Sequence, residues 1–372
     1  MNRLIVVGNG FDLCNGLETS YGQFIKSYLF EVVQKFTSKS HTEKELITFS
    51  LSNEKGSINY GIGDIPEGYH NKENVIELIN KIIKKEEYFD HLTVEMTPFF
   101  SRIFSKLNSG WIDIEKEYFE FLTSLFKEND KIGIKELNDE LNFIARKLKT
   151  YLIAEQEKYD KTKLHPRFNL AFEPDSLSVE PDEVLIVNFN YTKPKFIGEQ
   201  LESLVDSKYK NIDVINLHGS LDEEIIFGFG DEEDEIFNKM LEDGNDDVIL
   251  NFKMQQYASF GNYTKLERFL KKNSYQVCIV GHSCGISDRT MLKYIFEHDN
   301  CENIRIYYYV NNKEEDNYSI IYNSISRIFS SQQEMRSKVL NKTVCEDIKK
   351  IRQIAAPPEL KKAHTANQVE RR

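Results

Sequence analysis

At 372 residues the chain is long enough to bury a substantial core, either as one large domain with an insertion or as two domains. Its 48 Lys plus Arg stand against 60 Asp plus Glu, a formal net charge of −12, which disfavours general attraction to nucleic-acid backbone. No basic region precedes a long apolar stretch, and no apolar run is long enough to span a bilayer. Neither export nor membrane spanning is therefore expected, and a cytoplasmic location is. The five cysteines (14, 278, 284, 301 and 345) form no C-x-x-C pair, so reduced thiols are expected rather than a disulfide framework or a zinc ribbon.

In chain order, the first strand is predicted over 3–7. The Gly8-Asn9-Gly10 turn follows, then a helix capped by Thr19 that turns Tyr21, Phe24, Ile25, Tyr28 and Leu29 inward. Asn59 to Gly68 reads as a loop. From about Glu73 to Asp160 apolar residues recur at three- and four-residue spacing, as in Leu137, Leu141, Ile144, Leu148 and Leu152. That stretch exceeds any ordinary crossover and reads as an inserted helical layer. Basic residues at Arg146, Lys147 and Lys149, and again from Lys161 to Arg167, read as solvated surface.

Strand–helix alternation then resumes: strand 184–189, helix 195–206, strand 212–217, a short strand 224–228, helical 251–273, strand 276–280, helix 287–298, strand 303–310 and helix 317–329. One more helix is predicted within 333–355, ahead of a polar tail. The fold class is α/β, a Rossmann-like, mostly parallel sheet with a large helical insertion. Its expected division is a split nucleotide-binding domain (1–37 and 181–332), a mainly helical insertion (38–180), and a C-terminal helix and tail (333–372).

Four apolar strands end in small or polar residues: Gly8 to Asp12, Asn188 to Thr192, His218 to Ser220, and Gly281 to Gly285. Such ends converge on a ligand at the carboxyl edge of a parallel sheet. Gly8-Asn9-Gly10 permits a tight turn and close approach of phosphate, but it is no P-loop, and Leu13 occupies the third glycine position of G-x-G-x-x-G. Asp12 suits either a ligand hydroxyl or a helix cap. Asn188 and Asn190 offer paired amides, and His218 closes the next strand. Gly281-His282-Ser283-Cys284-Gly285 contains the letters of a nucleophile elbow, but its only downstream histidines are His298 and His364. It reads equally as a nucleotide-binding loop, with Asp288 capping the following helix. The Phe227 to Asp231 segment and its acidic extension suit a loop bordering the site. No metal centre is expected.

Taken together, these segments resemble those of the bacterial abortive-infection AbiH family. Gly8 to Asp12, Thr19 to Tyr21, Asn190 to Thr192, His218-Gly219 and Gly281 to Ser283 carry the likeness. It implies phage defence by arresting or killing the infected cell. More distantly, the arrangement is similar to the sirtuin-like NAD-binding fold, in which an Asn and a downstream His-Gly meet at the nicotinamide ribose. That likeness implies Asn190 and His218 as catalytic residues, with His218, near neutral pKa if unperturbed, as general base toward a ribose hydroxyl or water. The candidate nucleotide contacts are Gly8, Asn9, Gly10, Asp12, Thr19, Asn188, Thr192, Gly219, Gly228, Gly281 and Ser283. The zinc-binding cysteine quartet of sirtuin deacylases is missing, as is their Gly-Ile-Pro-Asp-Phe-Arg stretch, so protein deacylation is not implied. The expectation is an NAD glycohydrolase that self-associates and answers to a phage-derived or protein activator. A non-catalytic nucleotide-binding defence module and a nuclease stay open as alternatives.

Overall fold

The computed structural model describes residues 1–38, 45–51, 71–86, 89, 91–107, 112–158, 181–193, 211–258 and 261–348. The loop expected at 59–68, the helix at 195–206, the basic run at 161–167 and the polar tail lie outside them.

The strands β1 (Asn2–Val7), β4 (Val184–Asn188), β5 (Ile212–Asn216), β6 (Tyr275–Val280), β7 (Cys301–Tyr308) and β8 (Glu346–Asp347) form one sheet in the order β5-β4-β1-β6-β7-β8. Every pairing in it is parallel. The chain builds outward from β1 through β4 to β5. It then returns to the other side of β1 for β6 and continues to β7 and β8. This is a doubly wound arrangement with its switch point between β1 and β6.

Successive side chains of a strand point to opposite faces, and in β1 both faces are buried. Leu4 and Val6 join a core with Leu185, Val187, Val277, Ile279, Ile304 and Ile306; Ile5 and Val7 join another with Ile186, Cys278 and Val280. Continuous apolar runs are what a doubly covered parallel sheet requires. The first face is covered by α10 (Asn262–Lys272), α11 (Arg289–Phe296), α12 (Tyr318–Ile328) and α13 (Gln332–Lys338).

A third core lies in the helical layer. It unites α2 (Tyr21–Thr37), α3 (Val75–Ile83), α4 (Pro98–Leu107), α5 (Ile114–Lys127) and α6 (Lys131–Glu157) with an antiparallel pair, β2 (Ile47–Leu51) and β3 (Leu92–Met96). Phe227, Phe229, Phe237 and Phe252 also enter this core, the last two from α7 (Glu235–Glu242) and the residue preceding α9 (Lys253–Tyr257). A four-residue helix, α8 (Asp246–Ile249), lies between them. The layer therefore shares its core with segments on both sides of it in sequence, and α2 packs with the layer.

Three local expectations are corrected and one, the helical region at 251–273, is resolved into its parts. Residues 224–228 form no strand, only a single bridge between Gly219 and Ile225, because the Phe227 and Phe229 rings turn into the helical core. The helical stretch at 251–273 is two helices, α9 and α10. The helix predicted within 333–355 ends as α13 at Lys338, and β8 then pairs with Tyr307 and Tyr308, so the C-terminal segment completes the sheet. Ser20, not Thr19, caps α2, exchanging bonds with Gln23 in a capping box.

Candidate functional site

At the carboxyl ends of β1, β4 and β6 lies a cavity of about 780 Å³, within the range of about 300–1,000 Å³ usual for small-molecule sites. Of the residues expected to contact nucleotide, Gly8, Asn9, Gly10, Asp12, Thr19, Asn190, Thr192, His218, Gly281 and Ser283 line it. Asn188, Gly219 and Gly228 do not. Asn188 closes its own turn, donating to the Thr192 carbonyl at 2.9 Å and to Asn216 Oδ1 at 3.0 Å. Gly219 and Gly228 are instead pressed against backbone, where a Cβ would meet the Glu224 carbonyl oxygen at 2.1 Å and the Asn251 carbonyl oxygen at 1.9 Å.

The glycine turn is built by packing of two strand ends. The Gly8 amide donates to the Val280 carbonyl and the Gly10 amide to the Gly281 carbonyl. A Cβ on Gly8 would fall 2.6 Å from the Cα of His282, and one on Gly10 would fall 2.8 Å from the Gly281 oxygen. The turn forms a wall of the cavity, with two of its amides spent on the protein.

Asp12 sits in α1 (Asn9–Cys14) and is 1% exposed. It is no helix cap. Its carboxylate accepts the Thr192 hydroxyl at 2.6 Å and the Asn190 amide at 3.2 Å, and the same Asn190 amide donates to the Gly8 carbonyl at 3.1 Å. Thr19 donates to Asn9 Oδ1 at 2.5 Å, tying the start of α2 to the turn. Burial pushes the Asp12 carboxyl up to about 6, against the pull of its neutral donors. A carboxylate poised there can exchange a proton near neutrality. Asn190 holds this carboxylate in place.

His218 and His282 flank the Phe189 ring, with centroids at 5.2 and 4.5 Å. Both imidazoles face Asp288. His218 Nε2 lies 3.3 Å from Asp288 Oδ1 and 2.9 Å from the Tyr257 hydroxyl. His282 accepts the Cys284 amide at Nδ1, which leaves its Nε2 to carry the ring proton toward Asp288 Oδ2 at 3.5 Å. Burial, reinforced by the nearby Lys253 charge, brings His218 down to about 3. The condition for a near-neutral pKa, an unperturbed ring, does not hold here, and at physiological pH the ring is neutral.

Several of these partners are illegible in the sequence motifs. Lys253, 1% exposed, donates to Asp288 Oδ1 at 2.7 Å, Glu115 Oε2 at 3.3 Å and the Ser287 carbonyl at 3.2 Å. Burial opposes ionisation of Asp288, but Lys253 and the two imidazoles outweigh it and hold the carboxyl well below its usual range. Asp288 precedes α11 without capping it; its charge belongs to this cluster. Glu115 accepts the Gly228 amide at 3.1 Å, and burial pushes it up to about 8 despite Lys253. Asp113, Glu115, Tyr21 and Tyr191 complete this side of the cavity. A second cavity of about 690 Å³, lined by Tyr257, Tyr263 and Tyr294, meets the first at Ser287 and Asp288.

Ser283 lines the cavity, but His298, the nearest downstream histidine, lies on the second one. The nucleophile-elbow reading therefore has no triad partner in His298. Among the described residues, no group of three or more His, Cys, Asp or Glu side chains is arranged to hold a metal ion. No described helix is long and apolar enough to cross a membrane, and all five cysteines are buried free thiols.

No curated protein and no solved structure matches the chain significantly. A family model described as bacteriophage abortive infection AbiH matches residues 4–310, a span that contains the sheet from β1 to β7 and every cavity residue discussed above, and the chain belongs to that family.

Proposed function

We propose that this protein acts in abortive infection by hydrolysing the bond between nicotinamide and ribose in NAD, depleting it in infected cells. The observation that carries the reading is Asp12: a buried carboxylate, steered by Asn190 and Thr192, in a nucleotide-sized cavity at the switch point of a doubly wound sheet. Cleavage sends the electron pair of the C1′–N bond to the pyridinium nitrogen, so nicotinamide leaves neutral and positive charge develops on the ribose. An anion held at that point by neutral donors stabilises the developing charge. Water then adds to C1′, and Asp12 takes its proton, giving ADP-ribose. Neutral His218, with Nε2 on the Tyr257 hydroxyl and beside Asp288 and its ring also bonded to the Phe189 backbone, acts as a fixed wall of the ribose subsite rather than in proton removal. Asn190 acts by positioning Asp12. Activation by a phage component or partner and assembly of several copies belong to the same reading.

The test is to incubate purified protein with NAD, alone and with lysate of phage-infected cells, and to follow nicotinamide and ADP-ribose. Wild-type protein is expected to release both. Asp12→Asn should lower turnover at least a hundredfold, in the range of a lost general base, with its circular dichroism unchanged. Full turnover by Asp12→Asn sinks the assignment. A second reading, a nucleotide-binding module without catalysis, draws support from the commitment of the Asn190 amide and two glycine-turn amides to protein partners. NAD binding without product in both conditions would favour it.

A further inference from the structure

Resting on the pyridine-dinucleotide reading of the site, we propose that the wall formed by Asp113, Glu115 and Asp288 selects substrates whose leaving ring is positively charged. The oxidised nicotinamide dinucleotide is accepted, while its uncharged reduced form and its ring-carboxylate analogue are refused.

The argument begins with charge. The cavity lining carries the carboxylates Asp12, Asp113, Glu115 and Asp288, and the ammonium of Lys26 on α2. Lys253 stands behind Glu115 and Asp288, on the side of the second cavity, with its donors spent on those two groups and the Ser287 carbonyl. His218 stays neutral. Among the described residues, Asp113 accepts the backbone amide of Lys116 at 3.0 Å. With Lys253 already committed to Asp288, Glu115 and Asp113 can both carry charge in this buried wall only at a cost, unless a further positive charge arrives beside them. Burial raises both Asp113 and Glu115 against the pull of Lys253 and so favours their neutral forms, and a cation arriving beside them favours the ionised ones. Tyr21 and Tyr191 line the same wall. Aromatic rings beside carboxylates form the surroundings in which a flat cation is favoured over a neutral ring of the same shape. Lys26 remains for the phosphates.

Two consequences follow. Attraction to the pyridinium is largest before the bond breaks, since the ring departs neutral, so this wall contributes to substrate capture more than to the chemical step. A cation entering beside Glu115 also favours its ionised form. The groups around Glu115 are Lys253 from α9, Asp288, Asp113, Tyr21 and Tyr191, together with the Gly228 amide. Lys253 is already charged and Asp288 already ionised, so Glu115, pushed up to about 8, releases a proton when the cation binds near pH 7.

Calorimetric titration of the full-length protein at pH 7 tests this. The probes are carbocyclic NAD+, whose methylene-substituted ribose resists hydrolysis, NADH and nicotinic acid adenine dinucleotide. Carbocyclic NAD+ should bind at least about tenfold more tightly than either other probe. Comparison of two buffers of different ionisation enthalpy should show proton release for that probe alone. Glu115→Gln, which keeps the shape and the acceptor for Gly228, should abolish the proton release and narrow the preference. Asp113→Asn should raise KM for NAD with kcat held. Equal binding of all three probes overturns the selectivity and leaves the nucleotide site standing. Failure of every probe to bind overturns both. Proton release that persists in Glu115→Gln overturns the role of that residue, and the wild-type comparison alone decides the charge preference if a variant does not fold.

Discussion

At the scale of single residues, the site is set by what will not fit. Gly281 has φ of +69°, and a Cβ there would lie 2.2 Å from the Phe11 amide nitrogen and 2.7 Å from the Gly10 carbonyl carbon. Both neighbours are backbone of the turn that forms the cavity wall, and neither can swing away as a side chain would. Gly16 offers an internal comparison, with φ of +81° but open space around its absent Cβ. Gly16→Ala therefore bears only left-handed backbone strain, about 1–2 kcal/mol. Gly281→Ala bears that strain plus a forced separation of two strand ends. Urea unfolding should show Gly281→Ala to be less stable than Gly16→Ala by at least about 1 kcal/mol, and the former alone should weaken ligand binding. Equal losses would mean that the β1–β6 contact is not tight.

At the scale of elements, the sheet is closed at one side by a two-residue strand. β8 pairs with Tyr307 and Tyr308, and Ile348 beyond it is buried against Tyr307 and lines the cavity. Without that segment the end of β7 presents unpaired backbone groups next to apolar side chains, a template for association. A chain ending at Leu340 should retain α13 yet aggregate at concentrations where the intact protein stays dispersed; size-exclusion profiles of the two decide the point. The long strands were legible in sequence because apolar runs buried on both faces stop abruptly at Gly8, Asn188 and Gly281. β8 was not, because Glu346 and Asp347 carry no apolar pattern and owe their strand geometry to the neighbour they pair with. The strand expected at 224–228 failed for the converse reason: Phe227, and Phe229 just beyond it, belong to a core built largely by α2 to α6.

Over the whole molecule, the same division separates the legible half of the site from the hidden half. Asn190, Thr192 and His218 follow strand ends directly and Asp12 lies in the short helix after β1, so topology alone brings them together. Glu115 and Lys253 meet at 3.2 Å from positions 138 residues apart, on helices whose spacing to the strands carries no signal. A lysine between Phe252 and Met254 was the one local hint, since an apolar neighbourhood demands that a lysine find partners. Their burial gives the folded protein a characteristic pH response. His218, with a folded pKa of about 3 against 6.5, contributes stability above pH 6.5 that is lost as pH falls toward 3. Asp12 and Glu115 run the other way. Their folded values are raised, so their contributions are complete below 3.8 and 4.5 and disappear as pH climbs through about 6 and about 8. Between pH 6.5 and 8.5 Glu115, pushed up to about 8, is titrating. The melting temperature of the wild-type protein should therefore fall across that interval, and Glu115→Gln should flatten the slope, because its amide accepts the Gly228 bond without acquiring charge. An unchanged slope in the variant would place the ionisation elsewhere and remove the basis for Glu115 as the group that ionises when a cation binds.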